Sequence, residues 1–258
     1  VNKQQVAGAA PGRWSGPAEW TTFPTAADGG TVWRGPAPSA VVFDCDGLLA
    51  DSEPLWAAAR AELYRRRGLA FGDVEREALL GLDVPDVAAM MAGHFTETGR
   101  ERFIERELLD AGMRRIRSGV RPMVGALRCV ARIAELMPVA VASNAPRRVL
   151  DLTLEAIGLG GRFAVTVAAD EVGASKPAPD IYLAACRDLE VPPGSVLAFE
   201  DSAVGVRAAK AAGIPVVVVG GTCPLADLAW ESLLDLRLDR WLTCWRAGGS
   251  EVLPEPPV

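Results

Sequence analysis

Beyond Pro38 the chain carries five short, nearly unbroken apolar runs: Val41–Asp44, Val139–Ser143, Ala164–Ala168, Val196–Glu200 and Val216–Gly220. None alternates between apolar and polar residues. Continuous apolarity over so few residues marks strands covered on both faces, as in a parallel sheet. Between the later runs lie stretches with helical spacing, Arg147–Ile157, Asp180–Asp188 and Ala203–Ala212. Strand alternating with helix predicts an α/β fold built on a doubly wound parallel sheet.

The interval between the first two runs is too long for one crossover helix. It reads instead as four helices, Leu55–Arg67, Val74–Leu80, Val84–His94 and Thr98–Arg117, with Pro54 suited to the first helical turn. A helical cap over 54–119 is therefore expected, inserted into a core made of 39–53 and 120–258, with the chain rejoining the core near Arg121 and Pro122. Two linkers then join cap to core, an arrangement suited to opening and closing over a small substrate. Residues 1–38 lack any period and read as a flexible extension, although Trp14, Trp20 and Trp33 could find a surface. They show no basic start followed by an apolar h-region. Asp227 through Trp245 reads as a helix packed back on the core, and Pro254–Pro257 as a frayed terminus.

Composition narrows the function. With 258 residues and 50% hydrophobic content, the chain can bury one large domain or two smaller ones. A net charge of -6 argues against a nucleic-acid surface, and no apolar run reaches bilayer length. The 5 cysteines are odd in number, widely spaced and without a CxxC pair, so zinc and disulfide frameworks are disfavoured and a reducing cytoplasm fits. Cys45 is expected in apolar packing beside the first strand. His94, the sole histidine, falls in the cap and reads as surface or packing. A monomer is favoured.

The chemistry gathers where the strands end. Asp44-Cys45-Asp46-Gly47 follows the first run, Ser143-Asn144 the second, Ser175-Lys176-Pro177 the loop after the third, and Glu200-Asp201-Ser202 the fourth. Ligands of open α/β sheets bind just beyond the carboxyl ends of the strands. Acids spaced i, i+2 at such an edge can hold a hard cation and leave an oxygen free for nucleophilic attack. Taken singly, each motif has a plainer reading. Asp-Gly is a turn signal, Ser202 can cap the helix that follows it, and a lone lysine is usually a solvated surface charge.

In this order, and with a cap after the first strand, the motifs resemble the haloacid dehalogenase-like hydrolases, in particular their β-phosphoglucomutase-like branch of small-cap phosphatases and mutases. The likeness spans Val41 to about Gly221 and includes the stretches SKPAPDIY and FEDSAVGVRAAKAAG. It implies a Mg2+ cofactor and a small phosphate ester as substrate. Asp44 and Asp201 would be side-chain ligands of the ion, Asp46 would lend its backbone carbonyl, and Glu200 would be a further ligand or stand behind the others. Asp44 would be the nucleophile, forming an aspartyl-phosphate. Asp46 would protonate the departing alkoxide and later take a proton from water. Lys176, Ser143 and the backbone around Asn144 would offset the charge of the phosphate oxygens.

The stretch Asp51-Ser52-Glu53-Pro54-Leu55-Trp56 resembles the sugar- and polyol-phosphate phosphatases of this branch. The mutases place a histidine where Trp56 stands, and carry an arginine in the cap loop for a second phosphate. The comparable stretch here, Gly81-Leu82-Asp83-Val84-Pro85, has none. Both departures point to hydrolysis, with a sugar phosphomutase as the alternative and Trp56 as a candidate wall for the substrate. A phosphoacceptor signalling domain also uses an aspartate, magnesium and lysine on a parallel sheet, but lacks the cap and the second acid. A non-catalytic binding protein has no support, because none of the four motifs is degraded.

Overall fold

The computed structural model describes residues 37–79, 82–235 and 237–247. The expected extension therefore lies outside the described residues except for 37 and 38, as do Leu80 and Gly81 and the proline-rich end. Six strands, β1 (Ala40–Phe43), β2 (Val139–Ser143), β3 (Val165–Ala168), β4 (Val196–Glu200), β5 (Val216–Val219) and β6 (Leu228–Trp230), form one sheet in the order β3-β2-β1-β4-β5-β6. Every pairing is parallel.

The unbroken apolarity of the strands has the expected cause. Val41 and Phe43 of β1 face one core with Val141, Leu197 and Phe199, while Ala40 and Val42 face a second core with Ala140, Val196 and Ala198. The first core is closed by α5 (Ala126–Ala134), α6 (Arg147–Ala156) and α9 (Arg237–Arg246). The second is closed by α7 (Asp180–Asp188) and α8 (Ala203–Ala211). Reversal of strand order between β2-β1 and β4 opens a crevice at the carboxyl end of β1, the position where ligands bind in such sheets.

Between β1 and β2 the chain forms α1 (Glu53–Arg66), α2 (Asp73–Ala78), α3 (Val84–His94) and α4 (Glu101–Gly119). These helices carry their own apolar cluster, including Leu63, Tyr64, Met91, Ile104 and Leu108. The two connections to the sheet are tied to each other: Asp51 N donates to Arg121 O at 2.9 Å and Met123 N to Leu49 O at 2.8 Å.

Two features depart from the sequence reading. Helix α5 was not anticipated, although its apolar face of Ala126, Cys129, Val130 and Ile133 has helical spacing. The stretch from Asp227 to Trp245 is not one helix. Leu228–Trp230 pairs with β5 as a sixth strand, and α9 begins only at Arg237. The cause is tertiary: β5 offers an unpaired edge, and the Asp227 carboxylate accepts from Val216 N at 2.8 Å, pinning the segment there. Trp230 then packs edge-on against Phe199 and tilted against Trp241.

Candidate active site

Asp44 stands one residue past β1, and its backbone N–H still donates to Phe199 O at 3.0 Å, so the sheet itself aims the side chain. Two residues on, the chain turns sharply at Gly47, whose φ of 85° lies in the left-handed region that suits glycine. Space demands the same residue, since a β-carbon there would come 2.0 Å from Asp201 Oδ2. The turn thus brings the first and fourth motifs into contact.

Lys176 is almost wholly buried, and its ammonium bridges Asp44 Oδ1 at 2.5 Å and Glu200 Oε1 at 2.7 Å. Burial alone would lower its pKa, but the two carboxylates outweigh that and hold it above its usual value. Its backbone is held as well. Lys176 N donates to Asn144 Oδ1 at 2.8 Å, and Asn144 Nδ2 donates back to Lys176 O at 3.2 Å. Asn144 thereby fixes the lysine-bearing loop to the end of β2.

Glu200 is fully buried behind the acids and saturated with donors. Besides Lys176 it accepts from Tyr182 Oη at 2.6 Å and Ser202 Oγ at 3.2 Å. A β-carbon on Gly205 would fall 1.9 Å from its Oε1, so the first turn of α8 leaves just enough room for it. Ser202 also caps α8, accepting from Gly205 N at 3.0 Å, so capping and site-building coexist in one side chain.

Asp44, Glu200 and Asp201 offer carboxylate oxygens all within 4.8 Å of one another. Burial pushes Asp44 well above the carboxylate range against the pull of Lys176, and burial with the charge of Glu200 pushes Asp201 up to about 7. Crowded acids with only oxygen donors fit a hard divalent cation, which would relieve their mutual repulsion.

Asp46 is held from two sides, by Ser52 Oγ at 2.5 Å and by Ser143 Oγ at 3.4 Å. Ser52 occupies the N-cap of α1 yet makes no capping bond; its hydroxyl serves Asp46 instead. Ser143, expected to meet phosphate, is fully buried, accepts from Ala145 N at 3.0 Å and does not line the cavity. Its hydroxyl is turned toward Asp46, which accepts from it.

These side chains form the floor of a cavity of about 480 Å³. Asp44, Asp46, Asn144, Lys176 and Asp201 line it from the sheet, and Glu53, Trp56, Arg60, Leu82, Asp83 and Val87 line it from the inserted helices. Trp56 owes its place to Gly112 of α4, where a β-carbon would come 2.3 Å from the indole. The sequence reading missed Ser52, Tyr182, Glu53 and Arg60. The last two had a usable signal: with Trp56 they fall at i, i+3 and i+7 on α1, one face of the helix.

A family model described as haloacid dehalogenase-like hydrolase matches residues 38–213. Among curated proteins, the chain is 29% identical over 203 residues to validoxylamine A 7'-phosphate phosphatase of Streptomyces hygroscopicus subsp. limoneus, covering 78% of this chain and 95% of that protein. It is 32% identical over 212 residues to hexitol phosphatase B of Escherichia coli (strain K12), covering 76% and 93%. Among solved structures, CbbY from Rhodobacter sphaeroides in complex with phosphate superposes with a TM-score of 0.71 at 29% identity, over 78% of this chain and 99% of that one.

Proposed function

The chain belongs to the haloacid dehalogenase-like hydrolases, and we propose that within this family it is a magnesium-dependent phosphatase acting on a small sugar or polyol phosphate. One observation carries the reading: a buried lysine touches Asp44 at 2.5 Å beside two further carboxylates, on the floor of a cavity large enough for a small phosphate ester. The similarity to proteins named validoxylamine A 7'-phosphate phosphatase and hexitol phosphatase B supports the substrate class.

Asp44 and Asp201 are the cavity-facing side chains that would hold magnesium, with the Asp46 carbonyl beside them. Glu200 stays close enough to contribute, but its donors make it chiefly the anchor of Lys176. When bound, the ion would offset charge on the phosphate oxygens. Lys176 holds the Asp44 carboxylate in place through Oδ1, so that one carboxylate oxygen would meet the ion and the other attacks phosphorus. A bond forms from an Asp44 carboxylate oxygen to phosphorus as the bond to the leaving oxygen breaks, and Asp46 delivers a proton to that oxygen. Water then attacks the aspartyl-phosphate, gives a proton to Asp46, and releases inorganic phosphate with Asp44 restored. Ser52 and Ser143 keep the Asp46 carboxyl aimed during both steps. The inserted helices act as a cap over the leaving group.

The mutase alternative requires a cationic cap site for a second phosphate. Arg60 is a cap cation, but it is paired with Glu53, and Asp83 lines the same cavity, which disfavours another dianion. Turnover of a phosphate-ester panel with magnesium tests the assignment. Asp44→Asn should lower kcat by about 10⁴-fold or more while the fold is kept, since removing a covalent nucleophile costs on that scale. Wild-type turnover in that variant removes Asp44 from the chemistry. Interconversion of glucose phosphates without phosphate release would establish the mutase.

A further inference from the structure

Arg60 is the most unusual charged group in the inserted helices. It is 5% exposed, lines the cavity, and its Nε is buried with no hydrogen-bond partner. Its Nη2 is bonded to Glu53 Oε1. Glu53 keeps its other oxygen free of any described hydrogen bond and is 43% exposed at its side chain. The buried Nε–H is closed to ligand and water alike, so what Arg60 can offer a ligand is its terminal N–H groups. Donor and acceptor thus lie side by side on one wall, two helical turns apart in sequence, with the Trp56 indole between them along α1.

We propose that Glu53 and Arg60 form a hydroxyl-recognition pair that selects phosphate esters whose leaving alcohol carries neighbouring hydroxyl groups. Arg60 donates to one hydroxyl oxygen and Glu53 accepts from the next, while Trp56 covers the carbon face of the same group. A second phosphate or a carboxylate is the wrong occupant. The guanidinium charge is already met by Glu53, and Asp83 lines the same cavity. The alcohol end of the ester meets this wall while the phosphate meets Lys176, so the pair sets specificity without touching the reacting bonds. The inference rests on the phosphatase reading above and adds the feature of the substrate that is recognised.

The test compares hexitol 6-phosphate, phenyl phosphate and fructose 1,6-bisphosphate in the full chain with magnesium, for wild type, Arg60→Met and Glu53→Gln. Each variant should lower the kcat/KM ratio of hexitol phosphate to phenyl phosphate by about tenfold to a hundredfold, chiefly through KM, the scale of one or two charge-assisted hydrogen bonds. If wild type hydrolyses the esters but neither variant moves that ratio, the pair is structural and the inference is overturned, with the phosphatase reading intact. A larger loss for the bisphosphate than for the hexitol ester in Arg60→Met would make Arg60 a site for a second anion and equally overturn it. No turnover of any ester by wild type would sink the phosphatase reading itself. Should Arg60→Met fail to fold, Glu53→Gln, which alters a half-exposed group without changing its size, decides alone.

Discussion

Ser175 Oγ donates to Asp83 Oδ2 at 2.5 Å, tying the loop that carries Lys176 to the helices that roof the cavity. Asp83 does two things at once, because its Oδ1 also accepts from Asp86 N at 2.9 Å and caps α3. The contact joins residues 92 positions apart, immediately beside the buried lysine. It is a direct polar tie between roof and floor.

Ser175→Ala removes that tie without disturbing the α3 cap. A net hydrogen bond is worth about 0.5–1.5 kcal/mol, so the closed arrangement should weaken by that amount and KM for a small ester should rise about three- to tenfold. Asp83→Ala loses the cap too, adding about 1 kcal/mol of destabilisation. Steady-state kinetics with thermal denaturation separates the two effects, and an unchanged KM in Ser175→Ala would show that the tie does not govern closure.

Gly47 and Gly205 should tolerate no side chain. Gly47→Ala adds left-handed strain of about 1–2 kcal/mol and drives a methyl group into Asp201. Gly205→Ala collides with Glu200, and overpacking of that kind costs about 1–3 kcal/mol. Their signatures differ: Gly47→Ala should chiefly raise the magnesium concentration needed for half-maximal activity. Gly205→Ala should chiefly lower kcat, because Glu200 holds Lys176.

Magnesium should raise the melting temperature as well as support turnover. Binding to the native acids alone adds about 1.4 kcal/mol at ten times Kd. Differential scanning calorimetry in chelator and in excess magnesium measures this. Asp201→Asn should abolish most of the shift while leaving the melting temperature in chelator unchanged or higher, since it removes one of the crowded, buried charges.

Acid should loosen the inserted helices through Glu62. This carboxylate of α1 accepts from Arg115 Nη2 at 2.6 Å and is also paired with Arg66 and Arg114. The Arg115 hydrogen bond is the main cause that holds its pKa below 4.5. A pKa lower in the folded state gives stability that is present above the unfolded value and is lost as pH falls through the folded one. Glu62→Gln should therefore destabilise by about 1 kcal/mol near neutral pH, a modest figure because solvent screens such pairs, and by less below pH 4. Urea titrations at both pH values check the sign.

Much of the sheet was legible because a strand buried on both faces needs apolar residues at every position, as Val139–Ser143 and Val196–Glu200 supply. The acids were legible because Asp44, Asp46 and Asp201 fall just beyond such runs, with Lys176 in the loop after the third, and the sheet must bring those ends to one edge. Strand β6 was not. Three residues, Leu228 to Trp230, have no period of their own and become a strand only because β5 presents an edge. Ser143 was correctly placed at the end of β2, but its hydroxyl direction followed from Asp46, a residue 97 positions away.

Residue type and order along the chain were enough to specify a parallel sheet, an inserted helical layer and a set of acids and a lysine at one edge, because these depend on local periodicity and on where strands stop. Which oxygen each donor meets was decided by packing. Arg60 became a buried cation facing the cavity, Ser52 turned from its helix to Asp46, and Ser175 reached Asp83, all through contacts between segments distant in sequence. Such contacts depend on where α1 and α3 settle over the sheet, and that position is set by the combined burial of many side chains, with no local pattern to announce it.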